Sequence, residues 1–151
     1  MILSNNERGP FTDFVRLTAA DLIAIGTGGT KIIGSIPIGG AVTFVGVVNN
    51  VDIVGSSSLV INVGTTLADP DEFIDALDVD AMTVGLMTSN TGDLMVQAAG
   101  NTTVLGGITA VKAVSAVTPI YIKVTDAAIA SITAGEICIA MTILDPLKFA
   151  N

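Results

Sequence analysis

At 151 residues the chain is long enough to build one hydrophobic core without help from disulfides or metal. Half of it is hydrophobic but only 4% is aromatic and 13% charged, so Val, Ile, Leu and Ala carry the apolar content, diluted by 16 glycines; this is the composition of packed strands and tight turns. Six scattered basic residues in a net charge of -8 argue against nucleic-acid binding, and the absence of histidine removes the commonest general base, triad partner and zinc ligand.

The charged fraction is about half that of an ordinary domain, and the mean hydropathy is +0.75. A lone copy would expose an unusual apolar area, so a homo-oligomer is expected. A membrane span is not: every window of about twenty residues is interrupted by Gly, Asn, Asp or Lys. A transmembrane barrel would want aromatic girdles, which one Tyr and no Trp cannot supply.

Residues 1–12 read as a polar N-terminal arm containing Asn5, Asn6, Arg8, Gly9 and Pro10. The start has no basic leader followed by a long apolar core, so a cytoplasmic origin is expected. Residues 13–151 read as one β-sandwich domain. Its first strand is predicted over 13–17, followed by 18–22 as either a helical turn or a second strand segment. Gly26–Gly29 makes a turn into a strand over 30–36, which Pro37 and Gly39–Gly40 end.

The segment from Ala41 to Ile53 is rich in β-branched residues, with Asn49–Asn50 marking a bulge or bend. Gly55–Ser58 then turns the chain into 59–63, where Leu59, Ile61 and Val63 share a face; the two strands are predicted to pair as an antiparallel hairpin. Asp69, Pro70 and the acids after them suit the start of a short helix reaching Leu77. Short strands are predicted at 82–87 and 94–98 around a turn at 89–93, with weaker segments at 102–105 and 110–117.

Pro119 opens a strand over 120–124. The closing strand, 136–144, is the most regular: Ile137, Ile139, Met141 and Ile143 lie on one face and Cys138, Ala140 and Thr142 on the other, so it should be central and buried. Cys138 is expected to pack as a small apolar group. About eight short strands and one short helix predict an all-β fold, an antiparallel β-sandwich or jelly roll.

Chemistry-bearing motifs are sparse. Gly26-Thr27-Gly28-Gly29-Thr30-Lys31 has the wrong order for a phosphate loop and runs into a strand where such a loop must open a helix. The acids Asp69, Asp71, Glu72, Asp75, Asp78 and Asp80 lack the spacing of a calcium loop and read as a solvated acidic segment. No catalytic, cofactor or metal residue is predicted, and the chain is not expected to be an enzyme.

The polar arm ending at Pro10-Phe11, the strands VTFVGVVNNVDIV and LVINVGTT, the acidic DPDEF insert, the IYIKVTD segment and the closing ITAGEICIAMTIL together resemble the small all-β capsid decoration, or cement, proteins of tailed bacteriophages and related accessory head proteins. That resemblance implies a subunit, commonly a homotrimer, on the outer surface of the virion, made in the host cytoplasm and bound to the major capsid protein. Arg8, Pro10, Phe11 and Phe14 would then be assembly contacts. The rival readings are a ligand-binding module of the lectin or adhesin type, using calcium on the acidic segment, and a tail or fibre component.

Overall fold

The computed structural model describes residues 11–89 and 112–149. Among the described residues, nine strands lie in two antiparallel sheets that face each other. One sheet runs β1 (Asp13–Thr18), β9 (Ala134–Leu144), β3 (Ala41–Val54) and β6 (Met87–Ser89), with β7 (Lys112–Ala113) also on β3. The other runs β2 (Thr30–Ile36), β8 (Thr118–Thr125), β4 (Val60–Gly64) and β5 (Ile74–Asp78). The chain changes sheets repeatedly, and its first and last strands lie side by side. The all-β sandwich is therefore as the alternation predicted.

The core lies between the sheets because each strand turns alternate side chains inward. Ile137, Ile139 and Met141 of β9 are fully buried, and they meet Val45 and Val47 of β3 and Ile61, Val63, Ile120, Ile122 and Val124 of the facing sheet. Each such side chain contributes about 1.5–3 kcal/mol of burial. The closing strand is central, between β1 and β3. The register of β3 against β9 slips between Asn49 and Val51, where the paired asparagines suggested a bulge.

After β1 the chain enters helix α1 (Ala19–Ile25), which resolves the ambiguity at 18–22. The Thr18 hydroxyl accepts the Asp21 backbone N–H, the Asp21 carboxylate accepts the Thr18 N–H, and buried Leu22 anchors the turn. Among the described residues no helix is long and apolar enough to cross a membrane.

Three expectations are corrected. The strands on either side of Gly55–Ser58 do not form a hairpin: β3 and β4 lie in different sheets, so the turn carries the chain across the core and their apolar faces meet instead of their edges. The helix expected from Asp69 to Leu77 is a loop followed by β5. There β4 slips against β5 between Ile61 and Val63, so Val63 pairs with Ile74 and Ile61 with Leu77. One residue of β4 between these pairs, Asn62, faces two of β5, Asp75 and Ala76, with Ala76 at φ 44° taking up the extra residue. That bulge gives the apolar residues a spacing of three, which imitates a helical period.

The strand expected over 82–87 is shifted: 82–86 is a turn in which Gly85, at φ 82°, donates its N–H to the Asn49 carbonyl, and the strand occupies Met87–Ser89. The segments expected at 94–98 and 102–105 lie outside the described residues, as does most of the turn at 89–93.

Candidate assembly face

The two sheets differ in what they turn to solvent. On the sheet of β1, β9, β3 and β6, register builds two outward rows. One runs Phe14, Ala140, Gly46 and Ser89; the next runs Arg16, Cys138, Val48 and Met87. Apart from Arg16 and Ser89, these residues are apolar or small. Thr142 pairs with Phe44 one step further along.

Phe11 sits over this face. Its ring meets Phe14 edge-on, with centroids 5.5 Å apart at 81°, and lies 5.3 Å from Phe44 at 40°. Ala140 lies between the strands that bear Phe14 and Phe44, and it is only 1% exposed although it faces outward. Small residues form the floor of the face. A Cβ on Gly46 would come within 2.7 Å of the Met87 sulfur and 2.8 Å of the Phe44 ring, so the two side chains close over a position where only hydrogen fits.

Phe14 remains 47% exposed and Met87 42%. From Met87 the apolar surface continues round β6 into an open groove of about 390 Å³ lined by Leu77, Met82 and Leu86. The chain enters the face at Thr12, whose N–H donates to the Met141 carbonyl at 2.9 Å while its hydroxyl accepts the Ile143 N–H at 2.9 Å.

A polar border closes the other end. Arg16 donates to both oxygens of Glu136, at 3.2 and 2.6 Å, and Asn50 adds a third bond at 2.5 Å. The hydrogen bond to Glu136 raises the Arg16 pKa, and the Arg16 bond, then Asn50, hold the Glu136 carboxyl below its usual range. Cys138 is half-buried beside this border, and burial pushes its thiol up, as suits a packing residue.

The outer face of the second sheet is mixed: Ile32, 60% exposed, pairs with Tyr121 in one row, and polar groups fill the next. Lys123 Nζ donates to the Ala68 carbonyl at 3.2 Å and lies 3.5 Å from Asp69, while Asn62 donates to Asp75 at 3.1 Å. The acidic segment runs along this side and is used in local locks. Glu72 accepts the Thr65 N–H at 2.7 Å and the hydroxyls of Thr65 and Thr66 at 2.8 and 2.7 Å. Burial pushes its carboxyl up, but the bonds from Thr66 and Thr65 outweigh this and bring it down to about 2. Asp78 accepts from Ser58, and Asp80 from Ser56 and the Leu59 N–H. Among the described residues no group of three or more acidic, Cys or His side chains is arranged to hold a metal ion.

Of the four residues expected to make assembly contacts, Phe11 and Phe14 stand together on the apolar face, and Arg8 and Pro10 lie outside the described residues. Phe44, Gly46, Val48 and Met87 complete the patch and were not singled out from sequence. The signal for the first three was their spacing of two in VTFVGVV; what it lacked was any indication that this row faces out.

No family model matches the chain. No curated protein matches it. Among solved structures the chain is similar to one in the cyanophage Pam1 capsid asymmetric unit, with a TM-score of 0.54 and 16% identity over 87% of this chain and 81% of that one. At that identity the likeness is one of fold.

Proposed function

We propose that this chain is a structural subunit of a bacteriophage virion, a decoration or cement protein that seats on the outer capsid through the apolar face of Phe11, Phe14, Phe44 and Met87 and contacts the major capsid protein. The observation that carries the reading is the outward rows of the sheet of β1, β9, β3 and β6, with the Phe11, Phe14 and Phe44 rings gathered over them. A sheet face exposed to water ordinarily alternates to polar residues, whereas this one turns aromatics, Met, Val, Ala and Gly outward.

Three further points support it. The strand order, with β1 beside β9 and the middle strands divided between the sheets, supports reading the sandwich as a jelly roll, an architecture that capsid proteins share with lectins. The structure of similar fold comes from a capsid, which favours the shell over a tail or fibre. The shares covered in the two chains are close, so the likeness runs over most of both.

The arm through Arg8 and Pro10 belongs to the same proposal, because it reaches the domain at Phe11, on this face. The resemblance implies a homotrimer; the two-fold pairing proposed below is the alternative to it, and the mass of the wild-type chain in solution decides between them. The reading assigns the chain no catalytic step.

The test is co-sedimentation with phage shells that lack this protein. Wild-type chain should bind and raise the temperature at which the shells rupture. Met87→Asp should bind at least tenfold more weakly with an unchanged melting temperature. A wild-type chain that leaves such shells unbound and equally fragile overturns the reading.

A further inference from the structure

A strand at the edge of a sheet presents unpaired backbone N–H and C=O groups, and proteins ordinarily block such edges with bulges, charges or brevity. Among the described residues, the β2 and β5 edges carry such a block. In β2 the register slips between Ile32 and Gly34, and Lys31, opposite buried Ile122, brings a charge to the inner side. In β5 the bulge at Ala76 is flanked by Asp75 and Asp78.

β1 differs. Its six residues hold an unbroken register from Asp13 opposite Met141 to Thr18 opposite Glu136, with no glycine, proline or positive φ, and β9 is its one strand neighbour among the described residues. We propose that β1 is an open edge for strand addition and that its occupant is β1 of a second copy, running antiparallel about a two-fold axis.

Register follows from chemistry. A slip of one residue turns side chains to the wrong face, so only alternate registers keep Phe14 and Arg16 outward. Centring on Phe14 pairs only Asp13, Phe14 and Val15 within β1. Centring on Arg16 sets the two Arg16 side chains opposite each other, each with its guanidinium already committed to Glu136. It also draws in Thr18, whose N–H is already given to Asp21.

Centring on Val15 pairs Asp13 to Leu17 of each copy and stops short of α1. It sets Val15 against Val15, and each Phe14 against the other copy's Arg16, where a cation or its stem covers the ring. The two apolar outer faces then join into one surface. A two-fold interface of this kind is self-complementary, because the same patch serves both copies.

This inference stands apart from shell binding, which is a separate measurement. In a Cys138→Ser background, Val15→Cys and Arg16→Cys are each oxidised mildly and analysed for covalent dimer. Residues directly opposite in antiparallel strands lie within disulfide reach. Val15→Cys should cross-link at least tenfold faster than Arg16→Cys, and the wild-type chain should show an even-numbered mass in light scattering at micromolar concentration. Phe14→Lys, which faces the other copy's Arg16, should weaken self-association at least tenfold without changing the melting temperature, whereas Met87→Asp should leave it intact. A monomer or a trimer as the sole wild-type species, cross-linking at Arg16 equal to or above that at Val15, or undiminished association of Phe14→Lys overturns the proposal.

Discussion

Asp126 accepts the hydroxyl of Ser57 at 2.7 Å, joining the loop after β8 to the turn that carries the chain from one sheet to the other. The same oxygen accepts the N–H groups of Ser57 at 3.3 Å and Ala128 at 2.7 Å, and the Asp126 N–H is taken by Thr27. One carboxylate, 1% exposed, thus fixes a crossing that the core alone would leave loose. Asp126→Ala should lower stability by about 2–3 kcal/mol, since bonds to a charged acceptor are lost and several donors are left buried. Urea unfolding measures this, and Asp126→Asn should recover part of the loss.

Acid should destabilise the fold through the same kind of lock. Glu72 titrates at about 2 in the folded chain against an ordinary 4.5. A carboxyl depressed by folding contributes stability that is complete above the unfolded value and lost as pH falls through the folded one. Asp126 acts in the same direction, because its hydrogen bonds from Ala128 and Ser57 outweigh the effect of burial. The unfolding midpoint should therefore drop between pH 4.5 and 2, and Glu72→Gln should flatten that limb. An identical acid limb in the variant would show that Glu72 does not drive it.

Gly46→Leu tests the apolar face without entering the core. Its side chain would have to displace Met87 and Phe44 outward. The expected stability cost is about 1–3 kcal/mol, as for overpacking, with at least tenfold weaker shell binding. Ile32→Ser, at an exposed site on the opposite sheet, should leave shell binding unchanged.

Phe73→Ala should be the costliest of these changes. Its ring is fully buried although it precedes β5 by one residue, and its N–H bonds the Val63 carbonyl at 2.9 Å. Loss of an aromatic from such a site costs about 3–5 kcal/mol, readable as a fall in the denaturant midpoint. A change under about 1 kcal/mol would mean that the site collapses around the gap.

The sequence by itself determined several strands. Residues 136–144 were legible because alternation there reports one buried face directly, and residues 30–36 and the long segment from Ala41 because β-branched residues run there between Gly and Pro breaks. Phe11 and Phe14 were expected as contacts through the resemblance and its arm, and the structure brings their rings together on one outer face. Tertiary structure decided the rest. The bulge at Ala76 turned a strand into an apparent helix, and the Gly55–Ser58 turn gave no sign of whether it joined neighbours in one sheet or crossed between two. It also decided that Phe44, Gly46 and Val48 look outward, because periodicity divides a strand into two faces but which of them meets water depends on where the second sheet lies.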